Sequence, residues 1–406
     1  MSSQFHQKIV GKSQKLKISR ETSFMGYEKL AKGMTAKEAR QKIQGLMPSK
    51  IDKKEFQAYT QSVFIGSHNY PKVNSGVLSP GHPGDPTLMD SPEKWYAKGL
   101  NIEKIDSLRT SLINSRSQEQ SMEQKEIAMA SKPVNVEIEL DRKPSNNGVA
   151  GRVKPVSSSA DMKDMILGEN PSVNRKIEKA FYDTDLKAET AVKELSDDLD
   201  VYKLQNSFSA GLFGREENRE IVPTRWSITA VDDQVSKTKL GKVKQHQELG
   251  DTRYFKNSYL GNDFHIFLMA GRWEYELMEL KRPNSTWNAS KRTFIAQNYE
   301  PFSGRTRYAD ECAGAYYAAR LGVLEYLESI QRQAKVLIVR DVTPDYWAPL
   351  GVWIIRETVR NAFGDYTTLE EKGVKDVIGE EFRFQYSNIM NQSKILKGSQ
   401  KSLKDY

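Results

Sequence analysis

The chain has 406 residues, 38% hydrophobic and 28% charged, enough for one large folded unit or two smaller ones, and its mean hydropathy of −0.66 leaves room for polar tails. Its one cysteine, Cys312, excludes an internal disulfide and a cysteine-held zinc, and the five histidines at 6, 68, 82, 246 and 265 lack metal-ligand spacing. No apolar run is long enough to span a membrane and no apolar leader opens the chain, so an intracellular, cytoplasmic protein is expected.

Residues 1–50 hold eleven Lys/Arg against three Asp/Glu, and the other 356 residues balance at fifty of each. A basic segment ahead of a neutral body suits a flexible arm that grips a polyanion, most often nucleic acid; a solvated tail would have the same composition. Thr35 and Glu38 form a capping box ahead of AKEARQKIQGLM, which predicts one helix in the arm. VFIG (63–66) reads as a strand. A stretch of some thirty residues rich in Gly, Pro, Ser, Asn and Asp runs on from it and reads as a long surface loop. Asn69, Tyr70, Asn74 and Asp90, with the titratable His68 and His82, make that loop a candidate binding element. Ser91 and Pro92 start a short helix as N-cap and N1, and Ile105, Leu108 and Leu112 mark a second.

PVNVEIEL (133–140) alternates as a half-buried strand, and 141–159 reads as a linker. Two helices are expected next: one striped by Ala188, Ala191, Leu195 and Leu199, the other over VYKLQNSFSAGLFG. These divide the chain into the arm 1–50, a loop-rich then helical region 51–215, an α/β region 216–387 and a flexible tail 388–406. In the third region WSITAV (226–231) reads as a strand, with Asp232 and Asp233 at its C-terminal end, where α/β folds commonly place metal sites. The same residues suit a helix cap and a structural ion pair. Arg225 and Trp226 just upstream suit a phosphate and a base.

DFHIFLMAG and RWEYELMELK read as a hairpin turning at Gly271. Asp263 opens the first strand, and Glu279 and Lys281 share a face of the second, the constellation of the PD-(D/E)xK nucleases. Such carboxylates would hold magnesium or manganese to polarise a phosphate; a solvated strand face gives the same spacing. KRPNSTWNASKRTF interleaves Lys281, Arg282, Lys291 and Arg292 with Trp287 and Phe294, and Arg305, Arg307 and Tyr308 follow. Charge for a backbone and rings for unstacked bases suit single-strand or junction binding, and a surface loop over core aromatics suits them equally. ECAGAYYAARLGVLEYLESIQRQA predicts a long helix with Cys312 as a packed thiol, AKVLIVRDVT a buried strand and GVWIIRETVRNAF an amphipathic helix. The fold class expected is α/β, a mixed sheet with surrounding helices.

The chain closes on QKSLKDY, in which Gln400, Leu403 and Tyr406 fall at spacing three and share one face of a 3₁₀ turn. A one-sided apolar turn at a free end suits capture by another protein's pocket. It resembles the motif that tethers repair and replication proteins to the sliding clamp, PCNA, with one aromatic where many such motifs carry two.

Longer strings carry a second resemblance. VPTRWSITAVDD (222–233), IGSHNYPKVNSGVLSP (65–80), DSPEKW (90–95), FYDTDLKAETAV (181–192), LQNSFSAGLFG (204–214) and residues 316–363 together resemble, in order, the Nre family of archaeal DNA-repair proteins. The resemblance implies DNA repair and a clamp motif at the extreme C-terminus, where QKSLKDY lies. Many members open with a four-cysteine zinc finger, which this chain cannot form, so no zinc is expected and the basic arm stands in its place. The expected function is a nucleoid-associated repair protein recruited to the clamp, acting as a metal-dependent nuclease through Asp232, Asp233 and Glu279, with Asp232 and Asp233 holding the metal. The alternative is a clamp-associated factor that binds DNA without cutting it. Arg225, Trp226, Lys281, Arg282, Arg305 and Arg307 are the expected DNA contacts.

Overall fold

A computed structural model describes residues 53–81, 85–145, 149–150, 154–155, 157–285, 287–288, 290–370 and 373–398, together with the helical Gln41. The rest of the arm, His82 and the terminal hook lie outside the described residues.

The first half of the chain builds a six-stranded sheet from β1 (Glu55–Thr60), β2 (Ser62–Ile65), β3 (Ser75–Pro80), β4 (Leu112–Ser117), β5 (Val134–Leu140) and β6 (Ser158–Leu167), in the order β1-β5-β6-β4-β3-β2. Only β4 and β6 run parallel. The alternation read in PVNVEIEL holds: Val134, Val136, Ile138 and Leu140 all face the core. Four strands, β1, β3, β4 and β6, escaped the pattern. β3 lies inside the expected loop, where Ser75, Gly76, Val77 and Ser79 are all buried and small side chains replace the usual branched ones. β6 takes up the end of the expected linker and buries little beyond Ala160 and Met165.

Helices α1 (Pro92–Ala97), α2 (Ile102–Thr110), α3 (Met122–Met129), α4 (Arg175–Tyr182), α5 (Ala188–Leu195) and α6 (Val201–Ser209) accompany this half. In α5 the stripe is buried at Ala191 and Leu195. Leu112, read as helical, begins β4, because the helix already ends at Thr110.

The largest departure is α7 (Thr224–Val243), a twenty-residue helix that contains WSITAV, expected as a strand. Its buried positions Ser227, Val231 and Val235, then Ser236, Leu240 and Val243, recur every three or four residues, the helical period, over a length no six-residue window shows. Val231 and Val235 pack into the core of the first sheet, and Leu240 and Val243 into that of the second. α7 therefore stitches the two halves together, beside α8 (Gly314–Ser329).

The second sheet joins β7 (Thr252–Tyr259), β8 (Asn262–Met269), β9 (Glu274–Lys281), β10 (Phe294–Glu300), β11 (Lys335–Val342) and β12 (Thr367–Leu369) in the order β10-β9-β11-β8-β7-β12. β8 and β9 are the expected strands but not a hairpin. β11 sits between them, antiparallel to β8 and parallel to β9. All three are buried on both faces, and β11, the most completely buried, takes the centre. The true hairpin is β7–β8, turned by Leu260 and Gly261 with φ of 50° and 73°, the geometry of a two-residue type I′ turn.

One face of this sheet is covered by α8 and α9 (Trp353–Arg360), the other by α10 (Gly373–Glu381), α11 (Tyr386–Gln392) and α12 (Lys394–Gly398). Ile389, Ile395 and Leu396 are buried, so the chain from 386 to 398 is packed helix rather than the loose tail expected from 388. A separate cluster packs Trp95, Ile105 and Leu108 of α1 and α2 against Tyr346, Trp347, Leu350 and Trp353. Cys312 is buried and free. Among the described residues, no helix is long and apolar enough to cross a membrane.

Candidate nucleic-acid interface

The carboxylates proposed as metal ligands sit in different environments. Asp232 lies on the buried side of α7, fully shielded, with Arg356 of α9 donating at 2.6 and 2.8 Å and the Gln205 amide of α6 at 2.8 Å. Burial pushes the Asp232 carboxyl up, opposed by the Arg356 guanidinium in contact with it. Asp233, one residue on, points toward Lys237 a turn later and pairs with it at 2.7 Å. Glu279 is buried in β9, bonded to Arg340, whose Nε donates to Asn262 at 3.1 Å.

Register settles the nuclease constellation. Asp263 of β8 stands opposite Asp341 of β11, and Glu279 of β9 opposite Arg340. Arg340 and Asp341 are consecutive on one strand, so their side chains leave opposite faces of the sheet. Asp263 therefore faces away from Glu279 and Lys281. It shares a face with Asp341, which Arg282 holds by a donated bond at 2.8 Å. Among the described residues, no three His, Cys, Asp or Glu side chains converge as a metal site, and Asp232, Asp233 and Glu279 do not meet. The donor set does not fit magnesium or manganese, because the buried oxygens are already spent on arginine. Arg340 and Arg356 were the residues missing from the sequence reading; each lies in an apolar run, the one place where an arginine signals a buried partner.

Three of the strings that carry the family resemblance do converge. The Ile65 amide donates to Thr224 Oγ1 at 2.9 Å, and the Asn206 amide to the Val63 carbonyl at 3.0 Å. Ser209 Oγ donates to the Val222 carbonyl at 2.7 Å and lies 3.0 Å from the Thr224 hydroxyl. The end of β2, the end of α6 and the first turn of α7 are thus one hydrogen-bonded unit. On it Tyr70 meets Trp226 edge to face, ring centroids 4.8 Å apart, both half-buried, while His68, Asn69, Asn74 and Arg225 are exposed. Asn69 takes a positive φ of 60°, which asparagine tolerates better than most residues.

The second exposed group is the loop between β9 and β10. Asn288 ties it: its amide donates to the Lys281 carbonyl at 2.6 Å and the Arg292 carbonyl at 2.7 Å, and its Oδ1 accepts from the Ser290 amide at 2.9 Å. Trp287 packs inward on Tyr346, so it is a core ring rather than a stacking platform. Lys281 is mostly buried, 3.5 Å from Glu279, with its ammonium 5.7 Å from the Phe294 ring centroid. Arg282, Lys291 and Arg292 are exposed, and Phe294 is 56% exposed. Arg305 is structural: its guanidinium donates to the carbonyls of Arg307, Tyr299 and Tyr308 at 2.8–3.0 Å. Arg307 is exposed.

Comparison with known proteins is consistent along nearly the whole chain. The model of the archaeal Nre N-terminal region matches residues 37–288, and that of the archaeal Nre C-terminal region matches 300–406. The DNA repair protein NreA of Haloferax volcanii is 40% identical over 366 residues, covering 85% of this chain and 87% of that protein. The DNA repair protein NreB of Archaeoglobus fulgidus is 34% identical over 348 residues, covering 81% and 88%. The DNA repair protein NreA of the same organism is 34% identical over 333 residues, covering 79% and 83%. No solved structure matches the chain.

Proposed function

Because the chain belongs to the archaeal Nre family, we propose that it is a DNA repair protein, recruited to the sliding clamp by Gln400, Leu403 and Tyr406, that engages DNA without cutting it. One contrast carries the reading. Asp232 and Glu279 are buried against arginines and Asp233 is paired with lysine, while Lys291 and Arg292 of the tied loop and Phe294, which opens the strand after it, are exposed together. Cations for the phosphodiester backbone beside a ring for an unstacked base make a platform for single-stranded or branched DNA. The basic arm adds sequence-independent attraction, and DNA binding of this kind would hold the protein at the nucleoid.

The test uses the full chain with labelled forked and single-stranded DNA. Arg292→Ala with Phe294→Ala is expected to weaken binding by roughly tenfold, since a stacked base is worth about 1–3 kcal/mol. Deleting residues 1–50 should flatten the salt dependence. Manganese-supplemented incubation is expected to leave every substrate intact; product that grows with protein concentration would overturn the non-cutting reading. Unchanged affinity in the double variant would remove the loop from the interface.

A further inference from the structure

The segment leading to the terminal hook is anchored. Glu276 of β9 is fully buried, and its carboxylate accepts from Ser393 Oγ at 2.6 Å, the Lys394 amide at 2.8 Å and the Ile395 amide at 3.1 Å. The Gln297 side chain donates to the same carboxylate at 2.5 Å. A strand in the middle of the protein thus caps the N-terminus of α12, and Ile395 and Leu396 lock the helix into the core. Gln400 follows Gly398 by two residues, and at roughly 3.5 Å per residue Leu403 can stand at most about 18 Å from Gly398. A partner that takes the hook must therefore lie close against the layer of α10, α11 and α12.

That layer carries an unexplained residue. Phe384, in the turn between α10 and α11, is 93% exposed, far more than Tyr182 at 65% or Ile166 at 57%, while its neighbour Phe382 is buried. Single exposed apolar residues are ordinary, but an almost naked phenylalanine beside an exposed Arg383 has the composition of an interface anchor. α11 and α12 span roughly 10 and 7 Å at 1.5 Å per residue, which keeps Phe384 within about 30 Å of Gly398. An interface burying about 800 Å² on each side is about that wide.

We infer that Phe384 and the α10–α11 turn form a second contact for the same protein that captures Gln400, Leu403 and Tyr406, so that the partner is held at two points in fixed orientation. The inference rests on the clamp reading above. The short distance also bears on the single aromatic of the hook: a second contact within about 30 Å of the anchored α12 adds affinity because the second binding step becomes intramolecular.

The experiment measures an archaeal sliding clamp against four ligands by calorimetry: the full chain, its Phe384→Ala variant, its Leu403→Ala/Tyr406→Ala variant, and a peptide of residues 393–406. Phe384 is solvent-exposed, so its loss leaves folding intact. The full chain is expected to bind roughly tenfold more tightly than the peptide, with Phe384→Ala returning it to the peptide's affinity. Inserting ten Gly/Ser residues between Gly398 and Ser399 is expected to erode the same advantage. Equal affinity of chain, Phe384→Ala variant and peptide would overturn the second contact and leave the hook in place. No binding by the peptide, with the Leu403/Tyr406 variant binding as the wild type does, would sink the clamp reading and this inference with it.

Discussion

Asp232 offers the sharpest distinction between a structural and a chemical carboxylate. Its side chain and that of Arg356 are 0% and 1% exposed and meet at 2.6 Å, with Gln205 as a further donor. Removing one partner of a buried pair strands the other charge, which costs about 3–5 kcal/mol. Asp232→Ala should therefore lower the melting temperature by roughly 6–20 °C, taking about 2–4 °C per kcal/mol for domains of 150–250 residues. Arg356→Met should do the same, since the guanidinium otherwise only stacks 5.0 Å above Tyr202. The double variant should cost little more than either single change, giving a coupling of at least about 2 kcal/mol. Differential scanning fluorimetry and urea titration of all four proteins close the cycle. A carboxylate kept for chemistry at the expense of stability behaves oppositely. If Asp232→Ala is neutral or stabilising, or the two changes simply add, the structural assignment is wrong.

Gly261 makes a second prediction: at φ 73°, an added Cβ would lie 2.4 Å from the Tyr346 backbone nitrogen. Gly261→Ala should cost about 2–4 kcal/mol in urea titration, against about 1 for Gly99→Ala, where φ is also positive but nothing lies within 4 Å; equal costs would refute the clash. A third concerns His265, buried with Nδ1 2.8 Å from the Tyr254 hydroxyl and faced by Glu381, Lys256, Asp263 and Arg282. Burial lowers it from 6.5 to about 4, so the unfolded chain takes the proton first. Stability should be complete above pH 6.5 and fall as pH drops toward 4, by on the order of 3 kcal/mol over the window. His265→Gln should flatten that slope in melting curves between pH 7 and 4.5; an unchanged slope would discharge the residue from it.

Local patterns carried the α/β class, the strands at 134–140 and 335–342 and the helices at 201–209, 314–329 and 353–360, because each contains its own period. Some strands, β3 and β6 among them, lack a clear period of their own, but what failed at the site depends on distant chain. Nothing in DFHIFLMAG or RWEYELMELK records that a strand sixty residues on will slide between them. Yet that insertion decides which face Asp263 takes, and with it whether Asp263 can meet Glu279. WSITAV is rich enough in branched and aromatic residues to pass for a strand until its period is followed to Val243. Once it is a helix, Asp232 shares a face with Val235 and Ser236, both buried, and a carboxylate on a buried helical face demands a cation from elsewhere. WIIRETVR supplies it: Arg356 sits between Ile354, Ile355 and Val359 on a helix whose buried face leaves no water to solvate a guanidinium. Two charges, each anomalous in its own segment, explain one another only as a pair, and that pairing is also what removes Asp232 from the inventory of metal ligands.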